Sequence, residues 1–285
     1  MSGKRQTPTV RLRRLAAELR VLRASAGLTQ EEVGERTGIN VATLYRIEHS
    51  RVRPQTRTLR TLLDLYGADQ ERQAEMVALL RDARQRGWLH AYQNELPEQY
   101  MTYIGFEGEA RSVWNYESLF IPGLLQTEDY ARAVIRAGLP SASRDEVERC
   151  VDVRIQRQDV LGGDSPLELW AIVDEAALRR QVGGNDVMRA QLNHVLEAAE
   201  LPHLTFQVIP FHAGAHAGMP GSFVFMQFTD AAIPDVIYLD SMAGDLFLET
   251  EADVRRYRLS FEHLRAVAMS PDASRALVVA LAAEM

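Results

Sequence analysis

The sequence is poor in cysteine, in lysine and in long apolar runs. Cys150 is the only cysteine, which excludes an internal disulfide and leaves too little thiolate for a metal site, so we expect no metal and no cofactor. Lys4 is the only lysine among 32 basic residues, so nearly all positive charge is arginine. No apolar run approaches the roughly 18 residues that a membrane span needs, and the first ten residues have no apolar segment behind their charges. We therefore expect a cytoplasmic protein without a membrane partner.

Charge is divided unevenly along the chain. The 285 residues carry a net charge of −7. Residues 1–66 hold 13 basic and 6 acidic residues, a net of +7, and the remainder carries a net of −14. This asymmetry predicts a small basic domain that meets a polyanion, joined to a larger acidic body.

The basic segment has the caps and the apolar spacing of several short helices. Thr29 followed by Glu32 predicts a capping box that begins a second helix, and Gly38 permits a tight turn after it. Asn40 is the predicted cap of a third helix, Val41–Glu48. The residues expected to face inward are apolar: Leu12, Leu15, Leu19, Leu22, Leu44, Ile47, Leu59, Leu62, Leu63 and Tyr66.

Two short helices joined by a glycine turn indicate a helix-turn-helix, whose second helix fits the roughly 12 Å wide major groove of DNA. Arg46 is suited to guanine, and Thr43 to bases of either kind. Val41 or Ala42 suits the methyl group of thymine. The outward positions that reach base edges are Val41, Ala42, Thr43, Tyr45 and Arg46.

Residues that flank the third helix complete the predicted DNA-binding set. Asn40 stands at the start of the helix, while Gln30, Arg51 and Arg53 lie where phosphate oxygens are met. The alternative is a helical bundle that binds protein, since acidic residues also share the surface of the second helix. We favour DNA because arginines, and not acids, flank the third helix.

The run GLTQEEVGERTGINVATLYRIEHSRVRPQTRTLRTLLDLYG resembles the helix-turn-helix family of Xre and lambda-type repressors, over about residues 10–67. In that family an arginine late in the first helix pairs with the glutamate of R-I-E. The resemblance therefore implies a structural ion pair between Arg23 and Glu48. His49 and Ser50 stand where the family usually has Asn-Gly, which is a departure at the turn.

The rest of the chain mixes helices and strands. We predict a helix-turn-helix domain over residues 1–67, a helical linker over 68–97 and a larger α+β regulatory or partner-binding domain over 98–285. The fold class is thus α+β, with an all-α domain first. The expected strands are SVWNYESLF, LELWAIVD, LTFQVIP, GSFVFMQF and DVIYLD.

The body has no catalytic motif, and we expect no enzyme. His212 and His216 are four residues apart, but a glycine lies between them and no glutamate follows. Asp174 and Glu175 follow a strand, yet they are equally typical of the first turn of a helix. The serine segments form no G-x-S-x-G elbow.

The segments IPGLLQTEDYARA, VDVRIQRQ, VDEAALRRQVGG and VIPFHAG, in this order, resemble the carboxyl-terminal region of actinobacterial WhiJ-like regulators, from about residue 90 onward. That family joins an Xre-type helix-turn-helix to a body of undefined biochemistry. Its members are often encoded beside a small partner protein and include antitoxin-like proteins of Scr type. The resemblance implies a transcriptional regulator whose body senses a partner protein or a ligand.

Three functional hypotheses follow. The first is a homodimeric regulator of double-stranded DNA; the apolar seam of residues 254–268 is either its dimer contact or part of its own core. The second is an antitoxin-like protein that neutralises a small basic partner, with DNA binding as autoregulation. The third is a sensor of a small molecule, bound by an aromatic pocket, unless these aromatic residues are core: Trp170, Phe206, Phe223 and Phe225.

Overall fold

The computed structural model describes residues 10–82, 89, 92, 96–229, 233–241 and 244–285. The chain forms two compact units. The first comprises Met1–Glu109 with Asp230–Ile233, and the second Ala110–Thr229 with Pro234–Met285.

The described secondary structure of the first unit is helical. Its elements are α1 (Val10–Ser25), α2 (Gln30–Thr37), α3 (Val41–Glu48), α4 (Thr56–Leu65), α5 (Gln70–Asp82) and α6 (Glu98–Glu107).

Local caps fix the bounds of α2 and α3. The hydroxyl of Thr29 accepts the N–H of Glu32 at 3.2 Å, and the Glu32 carboxylate accepts the Thr29 N–H at 2.8 Å. Gly38 ends α2 with φ at 72°, a left-handed conformation that favours glycine. The side chain of Asn40 accepts the N–H of Ala42 at 2.9 Å. The predicted caps and both helices are therefore confirmed.

The five helices from α1 to α5 share one apolar core. Helix α5 falls within the predicted linker of residues 68–97, yet its Met76 and Leu80 are only 2% exposed. Helix α5 is thus packed into the core of the first unit. The buried set is Leu15, Leu19, Val33, Leu44, Ile47, Leu59, Leu62, Leu63, Tyr66, Met76 and Leu80.

Helix α6 also belongs to the first unit. The guanidinium of Arg13 lies over the ring of Phe106 at 4.5 Å, and Arg11 pairs with Glu109 at 2.9 Å. The predicted division at residue 97 and the spatial division after Glu109 therefore differ by the length of α6.

The second unit is built on a six-stranded mixed sheet, which confirms the predicted α+β class. The strands are β1 (Ser112–Glu117), β2 (Glu168–Asp174), β3 (Leu204–Ile209), β4 (Phe223–Gln227), β5 (Val236–Leu239) and β6 (Leu246–Leu248). The helices are α7 (Glu128–Gly138), α8 (Arg144–Gln156), α9 (Glu175–Arg179), α10 (Asn185–Ala198), α11 (Glu251–Val267) and α12 (Pro271–Glu284).

The sheet has the order β3-β2-β1-β4-β5-β6. Strand β2 pairs in parallel with β1 and with β3. The pairs β1–β4, β4–β5 and β5–β6 are antiparallel. In the register, Glu117 is opposite Val173 and Asp174 is opposite Ile209, so the parallel strands end at the same edge. Strand β4 starts at this edge, where Tyr116 is opposite Phe223.

Helix α11 covers the sheet of its own unit. Its Phe261 and Leu264 are fully buried, and the ring of Phe261 lies 5.0 Å from that of Trp114. The core alternative for the seam of residues 254–268 is therefore confirmed, because its buried side chains lie between helix and sheet.

The same core contains three of the four aromatic residues considered for a pocket. Trp170, Phe223 and Phe225 pack in it, as the core alternative predicts. Phe206 is separate from them and lines a cavity between α10, β3 and α12.

No single helix in the described ranges is long and apolar enough to cross a membrane. Helices α11 and α12 together, bent by 69°, have the length and composition for a broken span.

Candidate nucleic-acid interface

Helix α3 is fixed to the core by one face and exposes the other. Leu44 and Ile47 are 0% and 2% exposed, so they anchor the helix. Ala42, Tyr45 and Arg46 are exposed, and two further predicted base-reading residues, Val41 and Thr43, are half-buried. The structure therefore presents a guanidinium, a hydroxyl, an aromatic ring and methyl groups on one short helix.

The side chain of Arg46 lies along its own helix. Its Nη2 donates to the Thr43 hydroxyl at 3.0 Å, and its Nε donates to the carbonyl of Ala42 at 3.2 Å. The guanidinium is thus held beside the predicted base-reading residues of the preceding turn. Such support reduces the freedom that an arginine would lose on meeting a base.

An aromatic stack continues the exposed face of α3 beyond its last turn. The rings of Tyr45 and His49 are stacked with centroids 3.8 Å apart, and the Arg51 guanidinium lies over the Tyr45 ring at 5.4 Å. Sequence reasoning placed Tyr45 and Arg51 in the interface but missed His49. Its i, i+4 spacing from Tyr45, on an exposed helix face, is the sequence signal from which it could have been predicted.

Behind α3, a buried carboxylate joins three helices. Glu48 is 0% exposed, and its two oxygens accept from Arg23 Nε at 2.7 Å and Arg23 Nη2 at 3.1 Å. The ion pair that the resemblance implies is therefore present. The hydrogen bond to Glu48 raises the pKa of Arg23 further above its ordinary value, so this guanidinium stays charged.

Gln30 also belongs to this network. Its Nε2 donates to Glu48 Oε2 at 2.7 Å, so the predicted phosphate contact has its side-chain amide already engaged. The backbone N–H of Gln30 lies at the start of α2, where helical N–H groups have no partner within their helix. If Gln30 contacts a phosphate, the donor is therefore its backbone N–H, as at other helix N-termini.

The two arginines after α3 differ in their surroundings. Arg51 is exposed beside Tyr45, as a phosphate contact requires. The Arg53 Nη2 instead donates to the carbonyl of Leu80 near the end of α5. Arg53 therefore connects the loop to α5. To bind a phosphate through this nitrogen, as predicted, it would have to give up the hydrogen bond to Leu80.

The turn after α3 uses an unusual backbone conformation. Ser50 has φ at 57°, in the left-handed region that glycine adopts at little cost, and its N–H donates to Ile47 at 3.0 Å. The N–H of Arg51 donates to the carbonyl of Arg46 at 2.7 Å. The chain thus turns sharply out of α3 although serine replaces the usual glycine, and this turn brings Arg51 back toward the helix.

No group of three or more His, Cys, Asp or Glu side chains in the described ranges is placed to hold a metal ion. The arrangement is instead that of a rigid scaffold with one exposed helix, whose side chains suit the edges of bases.

Comparison with known families agrees with this division. Residues 14–76 match a family described as Helix-turn-helix domain, and residues 100–279 match one described as Domain of unknown function (DUF5753). No curated protein and no solved structure matches the chain. The predicted helix-turn-helix is therefore confirmed, and it supports DNA as a partner.

Proposed function

The chain belongs to the family described as Domain of unknown function (DUF5753), and because a helix-turn-helix precedes that domain, we propose that it is a sequence-specific transcriptional regulator. One observation carries the proposal: α3 exposes Arg46 and Tyr45, while Glu48 on its buried face is bound by both α1 and α2. A helix held so firmly presents its side chains in one register to the major groove.

The regulator is proposed to act as a homodimer. One small helix-turn-helix contacts too little DNA for strong binding, and two copies that read half-sites about 34 Å apart overcome this limit. The exposed side chains of α3 would then read one half-site per copy. We propose that the second unit responds to a signal, either a small partner protein or a small molecule.

A second candidate function is that of an antitoxin-like protein. The net charge of −14 after residue 66 favours a small basic partner, with DNA binding as autoregulation. Co-expression with the small protein of a neighbouring gene, followed by size-exclusion chromatography, tests this role. A 1:1 complex that dissociates in high salt supports it, and separate elution of the two proteins at low salt contradicts it.

Neither candidate involves catalysis. Among the described residues, His216 lies close to a carboxylate, because its Nε2 is 3.3 Å from an Asp174 oxygen. The other ring nitrogen, Nδ1, accepts the backbone N–H of Gly218 at 3.2 Å.

The direct test is enrichment of a pool of random duplex DNA by the full chain, at two salt concentrations. The full chain is required because α5 supplies Met76 and Leu80 to the core, which a fragment ending near residue 70 would lack. We expect one palindromic motif, with half-sites one helical turn apart. Arg46→Ala is the matched variant and should enrich a relaxed motif. Uniform retention of all sequences by the wild-type protein would refute specific recognition.

A further inference from the structure

A cavity of about 240 Å³ opens in the second unit, at the edge where the three parallel strands end. Tyr116 from β1, Asp174 from β2 and the segment after β3 all line it. In open sheets this edge is where ligands commonly bind, next to the strand at which the chain changes direction across the sheet. Here β1 is that strand, because it lies between parallel β2 and antiparallel β4.

The cavity wall contains a buried tyrosine. Tyr116 is 1% exposed, and its ring lines the cavity beside that of His216, with ring centroids 6.0 Å apart. The hydroxyl end of the ring lies against Gly218, in the loop that borders the cavity: a Cβ at Gly218 would come within 2.8 Å of that oxygen. Burial and the Asp174 carboxylate raise the pKa of Tyr116, so its hydroxyl stays protonated. Since Tyr116 lines the cavity, a bound molecule can hydrogen-bond to its hydroxyl.

Asp174 brings negative charge to the same wall. One of its oxygens accepts the N–H of Ala176 at 2.9 Å, and the other faces His216. Because Nδ1 of His216 accepts a backbone N–H, its Nε2 is the ring nitrogen that donates to Asp174. The adjacent Arg179 pairs with Glu175 at 2.6 Å.

The rim of the cavity is apolar and unusually exposed. Phe211 is 58% and Met219 is 70% exposed, and both line the opening. The cavity is larger than the roughly 150 Å³ that holds a benzene molecule. Its chemistry thus combines a carboxylate and a hydroxyl inside with a ring and a thioether at the mouth.

We propose that this cavity binds a small organic cation, a primary amine on a short apolar body, and that it is the sensory site of the regulator. The ammonium group donates to the Asp174 carboxylate and to the Tyr116 hydroxyl oxygen, while the apolar body rests on Phe211 and Met219. This inference rests on the proposed regulatory function and gives its signal a chemical class.

Three probes of nearly equal shape test the charge requirement: 2-phenylethylamine, 2-phenylethanol and phenylacetate. Each is titrated into the full chain at pH 7 and followed by ligand-observed NMR. We expect saturable binding of the amine with Kd on the order of 1 mM, as small fragments show, and about tenfold weaker binding of the alcohol. Phenylacetate should not bind, because Asp174 repels it. Equal binding of all three probes, or of none, would overturn the proposal.

Two substitutions locate the binding. Asp174→Asn removes the charge and keeps a side chain that caps α9, so amine binding should fall about tenfold and alcohol binding should stay. Tyr116→Phe should weaken both. The matched control is Asp186→Asn, which removes an exposed carboxylate from the start of α10 and should change neither. Wild-type amine affinity in Asp174→Asn would contradict the site.

DNA enrichment separates the two proposals. If the chain enriches a palindromic motif and the amine does not bind, the cavity proposal fails and the regulator stands. If the amine binds through Asp174 and no DNA is enriched, the binding site stands and the regulatory function fails. Retained alcohol binding in Asp174→Asn shows that this variant is folded.

Discussion

On the exposed face of α3, the guanidinium of Arg46 donates a hydrogen bond to the hydroxyl of Thr43 at 3.0 Å. The two residues assigned to base reading are thus coupled before DNA arrives. Arg46→Ala should lower affinity for the selected motif by about 1–3 kcal/mol and leave affinity for random DNA nearly unchanged. Fluorescence anisotropy with both kinds of duplex measures the difference.

The hydrogen bond between Arg46 and Thr43 also predicts that substitutions of these two residues are not additive. Thr43→Ala frees the Arg46 side chain, so the two single losses should exceed the loss of the double variant by about 0.5 kcal/mol or more. A double-mutant cycle on the selected motif measures this coupling. Strict additivity would show that Thr43 does not orient Arg46 in the complex, and equal losses on random DNA would show that Arg46 contacts phosphate only.

Arg51 and Arg53 should differ in what they lose on substitution. Arg51→Ala should weaken binding to every sequence alike and reduce the salt slope of log affinity by roughly one. Arg53→Ala also removes a hydrogen bond to the Leu80 carbonyl, so its free energy of unfolding should fall by about 1 kcal/mol. Salt titrations and urea denaturation of both variants give the comparison. A stable Arg53→Ala protein with a reduced salt slope would restore Arg53 to the phosphate contacts.

Glu48 should be the most sensitive residue of the helix-turn-helix. Glu48→Gln leaves the Arg23 guanidinium without its buried counter-charge, which costs about 3–5 kcal/mol when a buried pair is broken. Amide hydrogen exchange in α2 and α3 should accelerate accordingly. Glu35→Gln, at an exposed position of α2, is the control and should exchange like the wild-type protein. Unchanged protection in Glu48→Gln would mean that apolar packing alone holds α3.

The turn after α3 offers a stabilising substitution. Ser50 has φ at 57°, and a residue with a Cβ loses roughly 1 kcal/mol there relative to glycine. Ser50→Gly should therefore raise the free energy of unfolding by about 1 kcal/mol, measured by urea denaturation. Ser50→Ala keeps the Cβ and removes only the hydroxyl, so it should give no gain. An equal gain from alanine would assign the effect to the buried hydroxyl instead.

The helix-turn-helix was readable from sequence because its determinants are local. Thr29 and Glu32, or Asn40 and the residues it caps, lie within one turn of each other, so spacing alone predicts both helices. Helix α5 was predicted as a helix, but its place in the core depends on Met76 meeting side chains from distant positions. The sequence of this segment shows that the helix has an apolar face, but not which residues that face packs against.

The other parts of the candidate sites could be recognised only once the fold was known. Gln30 bonds to Glu48 across 18 positions, and His216 meets Asp174 across 42, so no local pattern separates these residues from other polar ones. The cavity forms where three strands end together, which depends on the strand order. Strand β6, only three residues long, was missed for a different reason, since it is too short to show an alternating pattern.

Glu117, the last residue of β1, should make stability depend on pH. Burial raises the pKa of its carboxyl to about 7 in the folded protein, from the ordinary 4.5, although hydrogen bonds from Ser222 and Asn115 partly oppose this. Between these two values the unfolded chain releases the proton while the folded chain keeps it. The free energy of unfolding contributed by this group therefore falls as pH rises from about 4.5 to about 7, by up to about 3 kcal/mol, and then stays constant.

Glu117→Gln removes this titration and keeps the size of the side chain. At pH 8 the variant should be more stable than the wild-type protein by up to about 3 kcal/mol, and near pH 4 the two should be equal, because the wild-type carboxyl is then protonated in both states. Urea denaturation across this range measures the difference. Glu168→Gln, an exposed position of β2, is the control and should show no such gain at pH 8. A Glu117→Gln protein that is no more stable at pH 8 would mean that the carboxylate is fully solvated, and that the carboxyl edge of β1 carries its charge at neutral pH.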